Sequence, residues 1–343
     1  MLDDLKYIHH RDSQDALGIA EKQWQQLEYE FEAPKISRQF DNIVFAGMGG
    51  SALAALIGRS WPGYKTPFEV CRQYQIPAYV SDKTLFIASS ASGNTEETLY
   101  ALGEAESHKA TIVVITGGGK LQEIAEQKTY PFILLPKVSQ PRYGVFYSLN
   151  ALTTTLGAIG AVDLLKTSEE MKKAANFLRE SVSNWSVTVP KTKNPAKKLA
   201  NELAGKSPVI YAGSLLAPAA YKWKISFNEN SKSVAWWNRL PEFNHNEFIG
   251  WSSHPVDKPY GIVELRSNLE HDRVQKRFEV GERLLSGRRP APNVVEVQGE
   301  TLLEQLLWAV NFGDFVSLYL ALLNNVDPGP VDLVEKFKTE LNK

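Results

Sequence analysis

The chain has 343 residues, enough for two hydrophobic cores, and its 43% hydrophobic and 22% charged residues describe a soluble globular protein. Lys plus Arg is 38 and Asp plus Glu is 39, so there is no electrostatic footprint for nucleic acid or for an anionic membrane, and any anion site must be local. The single cysteine, Cys71, excludes an internal disulfide and fits a reducing cytoplasm; in the strand-like "FEVCRQY" it is expected to be a buried, inert thiol.

The opening "MLDDLKYIHHRDSQDAL" lacks the charged-then-apolar pattern of a signal peptide. Residues 3–32 are loosely helical in period. Strand and helix patterns then alternate: "NIVFAGM", "SALAALIGRSW", "PFEVCRQY", "TLFIASS", "TEETLYALGEAES", "ATIVVITGG", "GKLQEIAEQ" and "PFILLP". The strand candidates are continuous apolar runs, as in a parallel sheet buried on both faces. That alternation predicts a doubly wound α/β domain, with ligands beyond the carboxyl ends of its strands. Residues 151–206 read as helical. The strand–turn pattern then returns in "SPVIYAGSLL", which matches "NIVFAGMGGS" in length and hydropathy, and in "YGIVELRS" and "NVVEVQG" around the helix pattern "HDRVQKRFEVGERLLSG". Two similar α/β halves follow, residues 1–150 and 151–343. The late run "LLEQLLWAVNFGDFVSLYLALL" carries Glu304 and Asp314, and a spanning helix needs about 20 mostly apolar residues with few charges, so it is read as a buried core helix.

Three stretches of the first half suggest chemistry. In "AGMGGSALA", Gly47, Gly49 and Ala52 fit G-x-G-x-x-A, where glycines let the backbone approach an anion at a helix N-terminus. A dinucleotide site would also need an acid at the end of the next strand, but Gln73 and Tyr74 stand there, and no Lys follows for a P-loop. A plain packing turn is the alternative. In "SSASGNTEET", Ser90, Ser92 and Thr95 flank Gly93 before a helix. Three hydroxyls and free helix N–H groups would hold a phosphate without a formal positive charge, whereas N-capping explains only one of the hydroxyls. Arg142, in "SQPRYGVFYSL", follows the fifth strand on the ligand side, where a fixed cation would stabilise developing negative charge; an ordinary surface arginine is the alternative.

In the second half, "SFNENSKSVAWWNRLPEFNHNEFIGW" sets Glu229 between Asn228 and Asn230, and His245 between Asn244 and Asn246. Asparagines can orient a carboxylate and an imidazole, although a structural polar network would look similar. His9, His10, His108, His254 and His271 lie in charged or loop contexts and are expected to be exposed. With no H-x-E-x-H and no paired Cys, no metal site is expected.

"GMGGS" with "SSASGNTEET" resembles the sugar isomerase (SIS) domain, a phosphosugar-binding α/β fold. Together with "NENSK", "PEFNHNEFIGW" and "GDFVSLYLALLNNVDPGPV", the chain from 40 to 340 resembles the bifunctional phosphoglucose/phosphomannose isomerase family. The resemblance implies two SIS-type domains and aldose–ketose isomerisation of hexose 6-phosphates without a cofactor. It implies phosphate held by Ser90, Ser92 and Thr95, with Gly49, Gly50 and Ser51 beside the substrate. It makes Glu229 the base between carbons 1 and 2, and His245 the ring-opening group, donated by the partner of a homodimer. The sixteen-residue separation of the two fits the family. A lysine of the C-terminal helix also belongs to the family's site; Lys336 is favoured over Lys338. Relatives often read "DPTP" where this chain has Gly329 in "DPGP", and that threonine is linked to accepting both epimers. Two other classes are a non-catalytic phosphosugar sensor, for which no basic DNA-binding segment is present, and a nicotinamide enzyme, which lacks its acid.

Overall fold

The computed structural model describes residues 1–36, 38–252 and 259–341, so His254 lies outside the described residues. It divides into two units, Lys22–Leu178 and Met1–Glu21 with Arg179–Lys343. The expected boundary near 150 therefore falls elsewhere, for a physical reason given below.

The N-terminal segment is not one helix. It forms α1 (Leu5–Arg11) and α2 (Ala16–Glu21), followed by a 3-10 turn at Gln23–Leu27. The break lies at Asp12, whose carboxylate accepts hydrogen bonds from the Ala16 and Leu17 amides at 2.7 and 2.8 Å, satisfying the donors that open α2.

The Lys22–Leu178 unit holds β1 (Asn42–Ala46), α3 (Gly49–Ser60), β2 (Phe68–Cys71), β3 (Thr84–Ser90), α4 (Glu96–Ser107), β4 (Thr111–Thr116), α5 (Gly119–Lys128), β5 (Phe132–Leu134) and α6 (Val145–Ala158). All five strands are parallel, in the order β2-β1-β3-β4-β5. Alternate strand residues go to opposite faces. Val44, Phe86 and Val114 meet Ala101, Leu102 and Ala105 of α4 and Leu121 of α5. Ile43, Phe45, Ile87 and Ile115 meet Ala55 of α3 and Leu152 and Leu156 of α6. Both faces are covered, which is why the strands read as unbroken apolar runs. Because α6 closes this core, the unit extends past 150, into α7 (Leu164–Val182). Cys71 is buried, donates its thiol to the Gln75 carbonyl at 3.2 Å, and is pushed up in pKa by that burial, as expected of an inert thiol.

The other unit holds α8 (Pro195–Leu203), β6 (Ser207–Ala212), α9 (Ala217–Glu229), β7 (Trp236–Arg239), α10 (Glu247–Gly250), β8 (Tyr260–Arg266), α11 (Asp272–Leu285), β9 (Asn293–Glu296), α12 (Leu302–Leu323) and α13 (Asp332–Leu341). Its parallel sheet runs β7-β6-β8-β9, so β6 and β8 repeat the relation of β1 and β3. The edge strand β7 is absent from the sequence reading. Its four residues "WWNR" are half-buried or exposed and show no apolar run.

Helix α12 is long and apolar enough to cross a membrane, but 94% of its apolar window is buried inside the protein. It opens with a reciprocal cap. Thr301 Oγ1 accepts from the Glu304 amide at 3.2 Å, and Glu304 Oε2 accepts from the Thr301 amide at 3.0 Å. The N-terminal segment packs onto this unit. Asn311 Nδ2 donates to the Ala20 carbonyl at 2.8 Å, and Lys197 Nζ to Asp3 Oδ1 at 3.0 Å. These bonds are why residues 1–21 belong here and not with the first half.

Candidate active site

In the Lys22–Leu178 unit, strand order reverses between β1 and β3, the crevice where open α/β sheets bind ligands. The two glycine–serine loops follow these two strands. The first enters α3 at Gly49, whose φ of +50° is a left-handed conformation suited to glycine. Ser51, one turn in, is buried, and its Oγ accepts from the Ala91 amide at 3.2 Å, tying the first loop to the second.

The second loop gathers the three predicted hydroxyls. Ser90 Oγ lies 2.7 Å from Thr95 Oγ1 and 3.3 Å from Ser92 Oγ, and accepts from the Gly93 amide at 3.1 Å. Thr95 is the N-cap residue of α4, yet its hydroxyl makes no cap hydrogen bond. It turns to Ser90 instead, so simple N-capping does not account for this threonine. The first-turn N–H groups of α4 have no intrahelical acceptor, and they carry the positive end of the helix dipole.

The loop is held from behind. Gly93 has φ +70°, and a Cβ there would lie 1.7 Å from the Gly118 carbonyl oxygen, so only glycine permits this approach. Thr116 Oγ1 donates to the Ser90 carbonyl at 2.9 Å, the Leu121 amide to the Gly93 carbonyl at 3.0 Å, and the Lys120 amide to Asn94 Oδ1 at 3.1 Å. A cavity of about 340 Å³ opens beside Ser92, lined also by Ala91, Gly117, Leu135, Lys137 and Tyr147.

Arg142 lies in a 3-10 turn, Pro141–Tyr143, and its side chain is 2% exposed. It donates to Gln140 Oε1 at 3.2 Å and Tyr143 Oη at 3.4 Å, and its guanidinium lies 4.7 Å from the Tyr143 ring centroid. A Cβ on Gly50 would meet the Pro141 carbonyl oxygen at 3.1 Å and Arg142 Cα at 3.4 Å, so the first loop and the arginine turn touch. One unit thus brings together Gly49, Gly50, Ser51, Ser90, Ser92, Thr95 and Arg142.

The other unit carries Glu229, His245 and Lys336. Glu229 is the last residue of α9 and is half-buried. One face of α9 is fixed by a buried polar seam. Lys222 pairs with Asp314 of α12 and donates to Ser226 Oγ at 2.6 Å; Ser226 donates to Asp314 at 2.7 Å; and Asn230 Nδ2 donates to Ser317 Oγ at 2.9 Å. Lys222, Ser226 and Asn230 are spaced by four, so they line one helix face. His245 ends the 3-10 turn Glu242–His245 and is exposed. Lys336 is exposed on α13, while Lys338 pairs with Glu335 at 2.7 Å. At Gly329 a Cβ would lie 2.7 Å from Gln14 Cδ, so Gln14 fills the space a threonine side chain would need.

The crevice after β6 and β8 is not the same. There the Glu270 carboxylate accepts from the Leu215 amide at 3.0 Å and fills the space beside Gly213, whose Cβ would meet it at 2.2 Å. Burial pushes the Glu270 carboxyl up in pKa, against amide hydrogen bonds from Leu215, His271 and Ser214. This unit carries an acidic side chain where the first offers hydroxyls. Nothing in "SNLEH" distinguishes that glutamate from a surface one.

A family described as "Bacterial phospho-glucose isomerase C-terminal SIS domain" matches residues 192–341. The bifunctional phosphoglucose/phosphomannose isomerase of Caldicellulosiruptor bescii is 39% identical, with 89% of this chain and 91% of that protein covered. The Aquifex aeolicus protein of the same name is 32% identical over 96% and 99%. A D-glucosamine-6-phosphate 4-epimerase of Sulfolobus acidocaldarius is 33% identical over 68% and 74%. Among solved structures, a glucose-6-phosphate isomerase like protein from Thermus thermophilus shares the fold, with TM-score 0.64, 20% identity and 98% of each chain covered. With two parallel sheets of SIS type and this degree of identity along nearly its whole length, the chain belongs to the bifunctional phosphoglucose/phosphomannose isomerase family.

Proposed function

We propose that this protein is an aldose–ketose isomerase that interconverts glucose 6-phosphate and mannose 6-phosphate with fructose 6-phosphate. The observation that carries the reading is the cluster of Ser90, Ser92 and Thr95, with the Thr95 hydroxyl turned away from its own helix. The phosphate dianion docks on these hydroxyls and on the N–H groups opening α4. Remote binding energy of this kind holds reacting carbons in place.

His245 assists ring opening. Glu229 removes the carbon 2 proton of the open aldose, giving an enediolate that Arg142 stabilises, and returns the proton to carbon 1 while the carbonyl moves to carbon 2. The hydroxyl proton passes between the two oxygens, so no redox partner is required. Gly49, Gly50 and Ser51 border the substrate, and Lys336 completes the set. The protein acts in the cytoplasm as a homodimer, with His245 given to the partner subunit.

Incubating EDTA-treated protein with fructose 6-phosphate should yield both aldose phosphates. A product epimerised at carbon 4 instead would support the activity named for the Sulfolobus relative. Glu229→Gln should abolish turnover yet keep sugar-phosphate binding; near-normal turnover would remove Glu229 from the mechanism.

A further inference from the structure

Lys232 closes the segment that carries Glu229, and its geometry is unusual for a surface lysine. Its backbone has φ +54°, the left-handed region, and its side chain is exposed. Its Nζ donates to the Glu229 carbonyl at 2.8 Å, the Asp327 carbonyl at 2.7 Å, the Pro328 carbonyl at 3.3 Å and the Asn230 carbonyl at 3.4 Å. Two of these carbonyls end α9, where they lack intrahelical donors and bear the negative end of its dipole. The other two belong to the turn after α12, which is itself tightened by the Gly329 amide donating to Asp327 Oδ1 at 2.9 Å. Four carbonyl oxygens converging on one point repel one another unless a cation sits among them.

We propose that Lys232 is a positioning residue. Its ammonium clasps the peptide that bears Glu229 to the Asp327–Pro328 turn and so sets the aim of the Glu229 carboxylate. This rests on Glu229 being the base. Lys232 touches no reacting atom; it acts through the backbone of the residue that does. The buried seam of Lys222, Asp314 and Ser226 fixes α9 further back, whereas Lys232 reaches its last turn. A base displaced by about 1 Å can lose on the order of 100-fold in rate.

The test uses Lys232→Met and Lys232→Cys in the full chain, with fructose 6-phosphate as substrate. Both should lower kcat by about 10- to 100-fold while KM changes less than about threefold, because the hydroxyl cluster is untouched. Alkylating Lys232→Cys with 2-bromoethylamine rebuilds an ammonium of the same reach. Cys71 is buried and its thiol pKa is raised, so it is spared. The alkylated protein should regain most of the lost kcat. If kcat falls less than twofold in both variants, or alkylation restores nothing, the proposal fails. If Lys232→Met does not fold, Lys232→Cys before and after alkylation carries the same comparison. Glu229→Gln run in parallel separates the two readings. An inactive Glu229→Gln beside a normal Lys232→Met defeats the clasp alone, and an active Glu229→Gln defeats the base assignment.

Discussion

Ser90→Ala is the sharpest perturbation of the proposed phosphate cradle. Ser90 Oγ is its hub, meeting Thr95 Oγ1 at 2.7 Å and Ser92 Oγ at 3.3 Å and taking the Gly93 amide at 3.1 Å. A hydrogen bond to a charged group contributes about 1.5–3 kcal/mol, and each 1.4 kcal/mol is tenfold. Losing the direct bond should therefore weaken binding about 10- to 150-fold, with Thr95 and Ser92 also freed to rotate. The cost to folding is smaller. The Gly93 amide also reaches the Ser90 carbonyl at 3.1 Å, so it keeps an acceptor. A loss of about 1 kcal/mol lowers the melting temperature by about 2–4 °C. Calorimetric titration with fructose 6-phosphate, with unphosphorylated fructose as control, separates the two effects. An unchanged affinity for the phosphorylated sugar, in a folded variant, would refute the cradle.

Two further outcomes follow from packing. Lys222→Met removes the countercharge of the fully buried Asp314 carboxylate, which keeps the Ser226 hydroxyl as a donor, and should destabilise by about 3 kcal/mol in a denaturant titration; adding Asp314→Leu should recover most of that, since the cost lies in a buried charge without a countercharge. Gly329→Thr meets the flexible end of the half-buried Gln14 side chain, which can swing aside, so it should cost less than about 1 kcal/mol in thermal melts, and Gln14→Ala in the same chain should remove that cost. If the family's threonine governs epimer choice, the pair should also raise mannose 6-phosphate relative to glucose 6-phosphate in the product mixture.

The sheets are legible in the sequence because both faces of each inner strand are covered, which turns the strand into an apolar run. Strand β7 is not, because an edge strand with exposed Trp236 has no run to show. The break within the helical stretch 3–32 is not legible, because Asp12 ends the first helix and caps the second through bonds that composition does not display. Within the site, the hydroxyl loop can be read locally: residues 90 to 95 make their own cluster. Arg142 is legible as a cation at a strand end, but its burial against Tyr143 is not. The seam under α9 joins residues about ninety positions apart, and the clasp by Lys232 joins residues a similar distance apart. No spacing rule reveals such pairs. "NENSK" contains the lysine, yet only the folded turn gives it four carbonyls.

The Glu270 carboxylate in the second crevice bears on stoichiometry. A chain with two sheets whose strand order reverses has two crevices where an anion could settle, and one is already filled by a side chain held by the Leu215 amide. Each chain should accordingly saturate at a single equivalent of sugar phosphate in a calorimetric titration.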